Sequence, residues 1–232
     1  MIELDPESRR VYDQLELTML TAIEDRVITA QNAASKSGKC RQVCAGGIYL
    51  DPEVIEELDI SARSVKREWL NLHMLKVEAL EDLVDEMQHR PLLVAYDYKH
   101  DLHRLRKAFP KATYLCDVKD RDTVKVNQRW NAGEIELMFG HPQSIARGLN
   151  LQECGADVCW HTPTWDQDLY DQYNRRVRRS GNTRDRMVVH HLIMKDTVEE
   201  LMLSVVDQKD ANQQTFFNAL LDLAKRRRRT SR

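Results

Sequence analysis

Apolar positions along the chain fall into two kinds of stretch. The first repeats at helical period. Val11, Leu15, Thr18, Ala22 and Val27, widened by Tyr12, Met19, Ile23 and Ala30, predict a long helix over residues 5–35. Asp5 can cap it, Pro6 suits its first position and Glu7 lies in its first turn. Residues 32–39 break the pattern and predict a loop, and Ala45-Gly46-Gly47 marks a turn. Residues 50–70 are charged, are interrupted by Pro52 and predict a surface excursion. Helix returns over 73–87, with Leu75, Leu80, Leu83, Val84 and Met87 on its apolar face. The second kind of stretch is short and apolar, as buried parallel strands are. Such runs predict strands at 91–96, 112–116, 135–139, 156–161 and 187–193, with helices at 122–131 and 167–179 and another carrying Leu102, Leu105 and Phe109. This alternation predicts an α/β fold, a parallel sheet with helices on both faces. A last helical pattern covers 197–225, and the terminal KRRRRTSR is expected to be disordered. The expected organisation is a helical segment with a surface insertion at 1–90, an α/β core at 91–195, and a helix with a basic tail at 196–232.

Composition narrows the class. The 232 residues are 42% hydrophobic and 31% charged, in the range of folded soluble proteins. No apolar run approaches 18 residues, and MIELDPESRR lacks signal-peptide character, so no membrane partner is expected and the cytoplasm or nucleus is the expected compartment. The five cysteines form no CxxC pair, which points to reduced thiols. Cys40 and Cys44 have no matching second pair, so no metal site is expected. The net charge of −2 conceals an asymmetry: residues 175–186 hold six arginines against one aspartate, and residues 225–232 hold six basic residues. Positive charge concentrated at two places on an acidic body suits a localised polyanion contact.

Candidate chemistry centres on the first of these clusters. Gln172, Arg176 and Arg179 are spaced i, i+4, i+7, which on a helix places them on one face. Two planar, permanently charged guanidiniums beside a glutamine make a poor core and a good phosphate cradle. Gly148-Leu149-Asn150-Leu151, a short strand, Thr164-Trp165 and then Gln172-x3-Arg176-x2-Arg179-x-Gly181 together resemble motifs V and VI of superfamily two helicases. The nearest resemblance is to the Swi/Snf-type family of DNA-translocating ATPases, across about 60 residues. LDPESRRVYDQL, CRQVC and HLIMKDTVEELM resemble further segments of that family.

The resemblance implies the second, C-terminal RecA-like lobe of a double-stranded-DNA translocase. It implies that Arg176 and Arg179 stabilise charge on the γ-phosphate as arginine fingers, with Gln172 beside them. It implies that Gly148 and Asn150 line the nucleotide cleft, that Gln143 and Ser144 contact a DNA backbone strand, and that Trp165 lies near the DNA track, with a place covering the sheet edge as its other reading; Arg147 is a further candidate for a phosphate contact. ATP and Mg²⁺ would be shared with a first lobe, because this chain contains neither GxxxxGK[ST] nor an acidic DExH-type box. On this reading the chain alone is inactive and becomes half of an ATP hydrolase with its partner lobe. The sequence departs from the family where Ile145-Ala146 precedes Arg147, where His141-Pro142 replaces a hydroxyl pair, and where Ser180-Gly181-Asn182 follows the arginines. The alternative is a stand-alone nucleic-acid-binding module with a helicase-like fold and no ATPase role. A dinucleotide-binding enzyme is disfavoured, since no GxGxxG follows any predicted strand.

Overall fold

A computed structural model describes residues 1–24, 30–59, 68–145, 149–178, 184, 186–206 and 213–230. These divide into two compact units, one formed by 76–192 and the other by 1–75 together with 193–232.

In the first unit, five parallel strands form the expected sheet: β3 (Leu92–Ala95), β4 (Thr113–Tyr114), β5 (Leu137–Gly140), β6 (Asp157–Trp160) and β7 (Val189–His191), in the order β4-β5-β3-β6-β7. The labels β1 and β2 belong to a separate pair in the other unit, Gly47–Tyr49 and Trp69–Asn71. Central β3 pairs with β5 and β6 in register, Leu93 opposite Met138 and Val158. Because successive strand side chains point to opposite faces, each strand feeds two cores. Leu93, Ala95, Met138, Val158 and Trp160 pack on one side with Trp130, Ile145 and Tyr173. Those three come from α6 (Thr123–Asn131), α7 (Pro142–Ile145) and α8 (Gln167–Arg175). Leu92, Val94, Phe139 and Cys159 pack on the other side with Val77, Leu80 and Leu105, from α4 (Leu75–Met87) and α5 (Lys99–Ala108). The three long apolar runs are strands because both of their faces are covered.

The second unit is mainly helical. α1 (Pro6–Glu24), α2 (Ala30–Ala45), α9 (Val198–Val206) and α10 (Gln213–Thr230) pack around Tyr12, Leu15, Met19, Cys40, Val43, Cys44, Met202, Phe216 and Leu220, all buried. The Tyr12 hydroxyl donates to Glu16 at 2.9 Å and accepts the Val198 N–H at 2.7 Å.

Here the structure corrects several expectations. Residues 32–39 are not a loop but lie inside α2. The stretch Ala33-Ala34-Ser35-Lys36-Ser37 has no large apolar residue to show a helical period, and the buried side of Ser37, Cys40, Val43 and Cys44 is what secures the helix. α2 stops at Gly46, whose φ of +97° excludes most side chains and whose added Cβ would lie 2.4 Å from the His73 carbonyl oxygen. The excursion over 50–70 contains structure of its own. α3 (Pro52–Glu57) is capped by Asp51 and buries Val54, and β2 pairs antiparallel with β1. The expected helix over 197–225 is two, α9 and α10. The basic run is not a disordered tail as far as Thr230, because α10 continues to that residue.

Candidate functional site

The site is built from segments that follow β5 and β6. α7 begins one residue beyond β5 and presents Gln143 and Ser144 at the surface. The Ser144 hydroxyl donates to the His141 carbonyl at 2.8 Å. His141 also meets Asp97, which follows the neighbouring strand β3, at 3.2 Å from Nε2, while its Nδ1 accepts the Gln143 N–H at 3.3 Å. The second contact leaves Nδ1 unprotonated and assigns the proton to Nε2. The His-Pro that departs from the hydroxyl pair of the resembled family is therefore an anchor for the α7 turn.

Burial alternates from Leu149 to Leu151. Leu149 and Leu151 are buried, Asn150 is exposed, and the Asn150 carbonyl accepts from Asn131 at 2.9 Å. The Leu151 carbonyl accepts the Trp130 indole N–H at 3.1 Å, and the Leu151 N–H donates to the Arg176 carbonyl at 3.3 Å. That last bond joins the two segments that resemble motifs V and VI directly.

α8 is capped by Asp166, which accepts from the Leu169 N–H at 3.0 Å. Its ladder ends at Arg175 rather than at Arg179, a correction to the expected span. The backbone tightens beyond that point: Arg176 N–H donates to Tyr173 at 3.1 Å, Val177 to Asn174 at 3.2 Å and Arg178 to Asn174 at 3.0 Å. Tyr173, Asn174 and Val177 are buried, so Gln172, Arg175 and Arg178 are left exposed and Arg176 half-buried. Trp165 is half-buried beyond β6. Arg147, Gly148 and Arg179 lie outside the described residues.

Sequence reasoning missed a buried polar cluster beside these segments. Asp101 on α5 accepts from the Thr162 hydroxyl at 2.8 Å, Arg104 at 2.9 Å and the Tyr98 N–H at 3.2 Å, with His100 Nδ1 at 3.1 Å. Asp101, Thr162, His100, Arg104 and His161 are all buried. Burial alone opposes ionisation of Asp101, but the His100 hydrogen bond and the neighbouring positive groups outweigh it and hold the carboxyl well below its usual range. His161 is pushed down to about 3, first by burial, with attraction from Asp101 only partly offsetting it. The signal in the sequence was His100-Asp101 followed by Arg104 on one helix. The cluster ties the end of β6 to α5 and so sets where the 163–166 loop leaves the sheet.

A pH dependence follows from it. The folded chain keeps His161 neutral, whereas the unfolded chain protonates it near the ordinary value of about 6.5. Its contribution is therefore complete above that value and is lost as pH falls toward 3. Between pH 6.5 and 5 the loss is on the order of 2 kcal/mol, at about 1.4 kcal/mol per pH unit. Asp101 titrates below this window. Urea unfolding at pH 7 and pH 5 should show a shallower loss for His161→Gln than for the parent. Equal losses would disprove the assignment.

A cavity of about 610 Å³ opens at the opposite, amino-terminal edge of the sheet, lined by residues such as Met87, Leu92, Phe109 and Leu137. Its rim charges include the ion pairs His89–Glu136 and Arg129–Glu134, and none of the motif-bearing segments reaches it. Among the described residues no group of three His, Cys, Asp or Glu side chains could hold a metal ion, and no helix is long and apolar enough to cross a membrane.

No family model matches the chain. Among curated proteins it is 34% identical over 224 residues to protein p41 of Acyrthosiphon pisum secondary endosymbiont phage 1, covering 94% of this chain but only 45% of that protein's length. Among solved structures it is similar to the C-terminal part of the Fun30 ATPase domain, with a TM-score of 0.65 at 14% identity over 97% of this chain and 96% of that one. The Sulfolobus solfataricus SWI2/SNF2 ATPase core gives a TM-score of 0.60 at 18% identity, covering 91% of this chain and 44% of that one. The same core in complex with double-stranded DNA gives 0.59 at 16%, covering 97% of this chain and 46% of that one. The fold is that of the C-terminal, RecA-like part of SWI2/SNF2 ATPase domains, as the motif resemblance implied.

Proposed function

From that fold we propose that the chain is the C-terminal motor lobe of an ATP-dependent double-stranded-DNA translocase. The observation that carries the reading is the Leu151–Arg176 hydrogen bond. It couples the two motif segments inside a fold shared, over almost its whole length, with the C-terminal part of an ATPase domain. The lobe supplies Arg176 and Arg179 to the γ-phosphate, Gln172, Gly148 and Asn150 to the nucleotide cleft, and Gln143, Ser144, Arg147 and Trp165 to the DNA track. Mg-ATP is held by a first lobe, since the phosphate-cradling loop and the acidic box are sequence features this chain does not carry. A relative more than twice as long accommodates such a lobe. The Sulfolobus core was solved on double-stranded DNA, which supports the choice of track.

The catalytic half of the reading is tested by ATP hydrolysis with and without a first lobe. The DNA half is tested on the chain alone. Guanidinium-to-phosphate contacts release counterions, so affinity for duplex DNA should be weak, independent of sequence and steeply salt-dependent. Removing residues 225–232 should weaken binding and flatten the salt slope, as measured by fluorescence anisotropy from 50 to 200 mM salt. A sequence-specific footprint at physiological salt would contradict this half.

A further inference from the structure

We propose that Asn174, held by Trp160, is the residue that positions Arg176; the inference rests on the reading that Arg176 meets nucleotide phosphate. Asn174 stands immediately before the arginine run, between Gln172 and Arg176, yet is buried. Its side-chain oxygen accepts the Trp160 indole N–H at 3.2 Å. An indole N–H only donates, so the facing atom is the amide oxygen. The Asn174 backbone carbonyl accepts from both Val177 and Arg178. One residue therefore bonds to the last residue of β6 through its side chain and closes the arginine turn through its backbone.

Trp160 is a firm anchor. It is fully buried, with Tyr170 stacked at 5.2 Å and Tyr173 tilted at 5.0 Å between ring centres. A second tether acts from the other side, where the Leu151 N–H holds the Arg176 carbonyl. Arg176 thus hangs between two fixed points, one on the sheet and one on the Leu149–Leu151 segment. Apolar burial alone would have been met by leucine at position 174. A leucine would leave the indole N–H without an acceptor and remove one of the two tethers of the turn. A guanidinium acting in a transition state must be held within about 0.5 Å, and a shift of about 1 Å can cost about 100-fold in rate.

The test joins this chain to an ATP-binding first lobe and measures DNA-stimulated hydrolysis. Asn174→Ala should lower kcat about 10- to 100-fold, leaving KM for ATP and the affinity for DNA within about twofold. Asn174→Asp keeps an acceptor oxygen and should recover most of kcat. Trp160→Phe keeps the ring packing, removes the donor and should give the same loss, so it carries the test if Asn174→Ala does not fold. In the chain alone, the Trp160 indole N–H resonance should shift and exchange faster in Asn174→Ala but not in Asn174→Asp. A normal kcat in folded Asn174→Ala, beside an inactive Arg176→Lys, overturns the positioning role and spares the motor reading. A normal kcat in Arg176→Lys as well overturns both.

Discussion

Arg176→Lys, in this chain joined to an ATP-binding lobe, is expected to cut kcat for DNA-stimulated ATP hydrolysis by about 10³-fold or more, the scale of an arginine finger. Lysine keeps the charge and loses the planar fork, so from the same half-buried turn it cannot span two phosphate oxygens. The loss should fall on kcat because the charge being met is greatest in the transition state. DNA affinity should hardly change. Arg178 provides the internal control. It is exposed where Arg176 is half-buried, so the two side chains sit in different surroundings. Arg178→Lys should therefore leave kcat within about twofold. If both substitutions reduce DNA affinity equally and spare kcat, the cluster is a phosphate-backbone patch and the lobe is a binding module.

Legibility in the sequence followed burial. The strands at Leu92–Ala95, Leu137–Gly140 and Asp157–Trp160 were readable because both faces of each are covered, which leaves a run of apolar residues with few alternatives. Around the candidate arginines, Tyr173 and Val177 occupy the inward positions, with Gln172 exposed and Arg176 half-buried. Three things were hidden. α2 carries too few large apolar residues for its period to show, and it is secured by packing on α1 and on α9 and α10, which lie more than 150 positions away. β1 and β2 are three residues each and are defined only by each other. The cluster around Asp101 was not read from the sequence, because the helix signal there was carried by Leu102, Leu105 and Phe109. The hydroxyl of Thr162, two residues beyond the end of β6, meets Asp101 from the sheet side. Asp157 is a further case. It opens β6 fully buried, where it accepts from Arg184 at 3.0 Å and from the Val188 N–H at 2.9 Å, binding the segment before β7 to the sheet. None of those partners is near it in sequence.

The largest effect expected of all is between no turnover and turnover. Holding β- and γ-phosphates requires a backbone cradle, a lysine and an acid for Mg²⁺, none of which appears as a motif in this chain. An arginine finger accelerates transfer only from a phosphate already in place. The direct measurement is ATP hydrolysis by the purified chain alone and by the chain joined to an ATP-binding lobe, each with and without duplex DNA. The chain alone should stay at background under both conditions, and the joined lobes should turn over with stimulation by DNA. Turnover by the chain alone that persists through further purification and disappears on substituting one of its own residues would contradict the account. So would a joined pair whose rate is no higher than that of the ATP-binding lobe by itself.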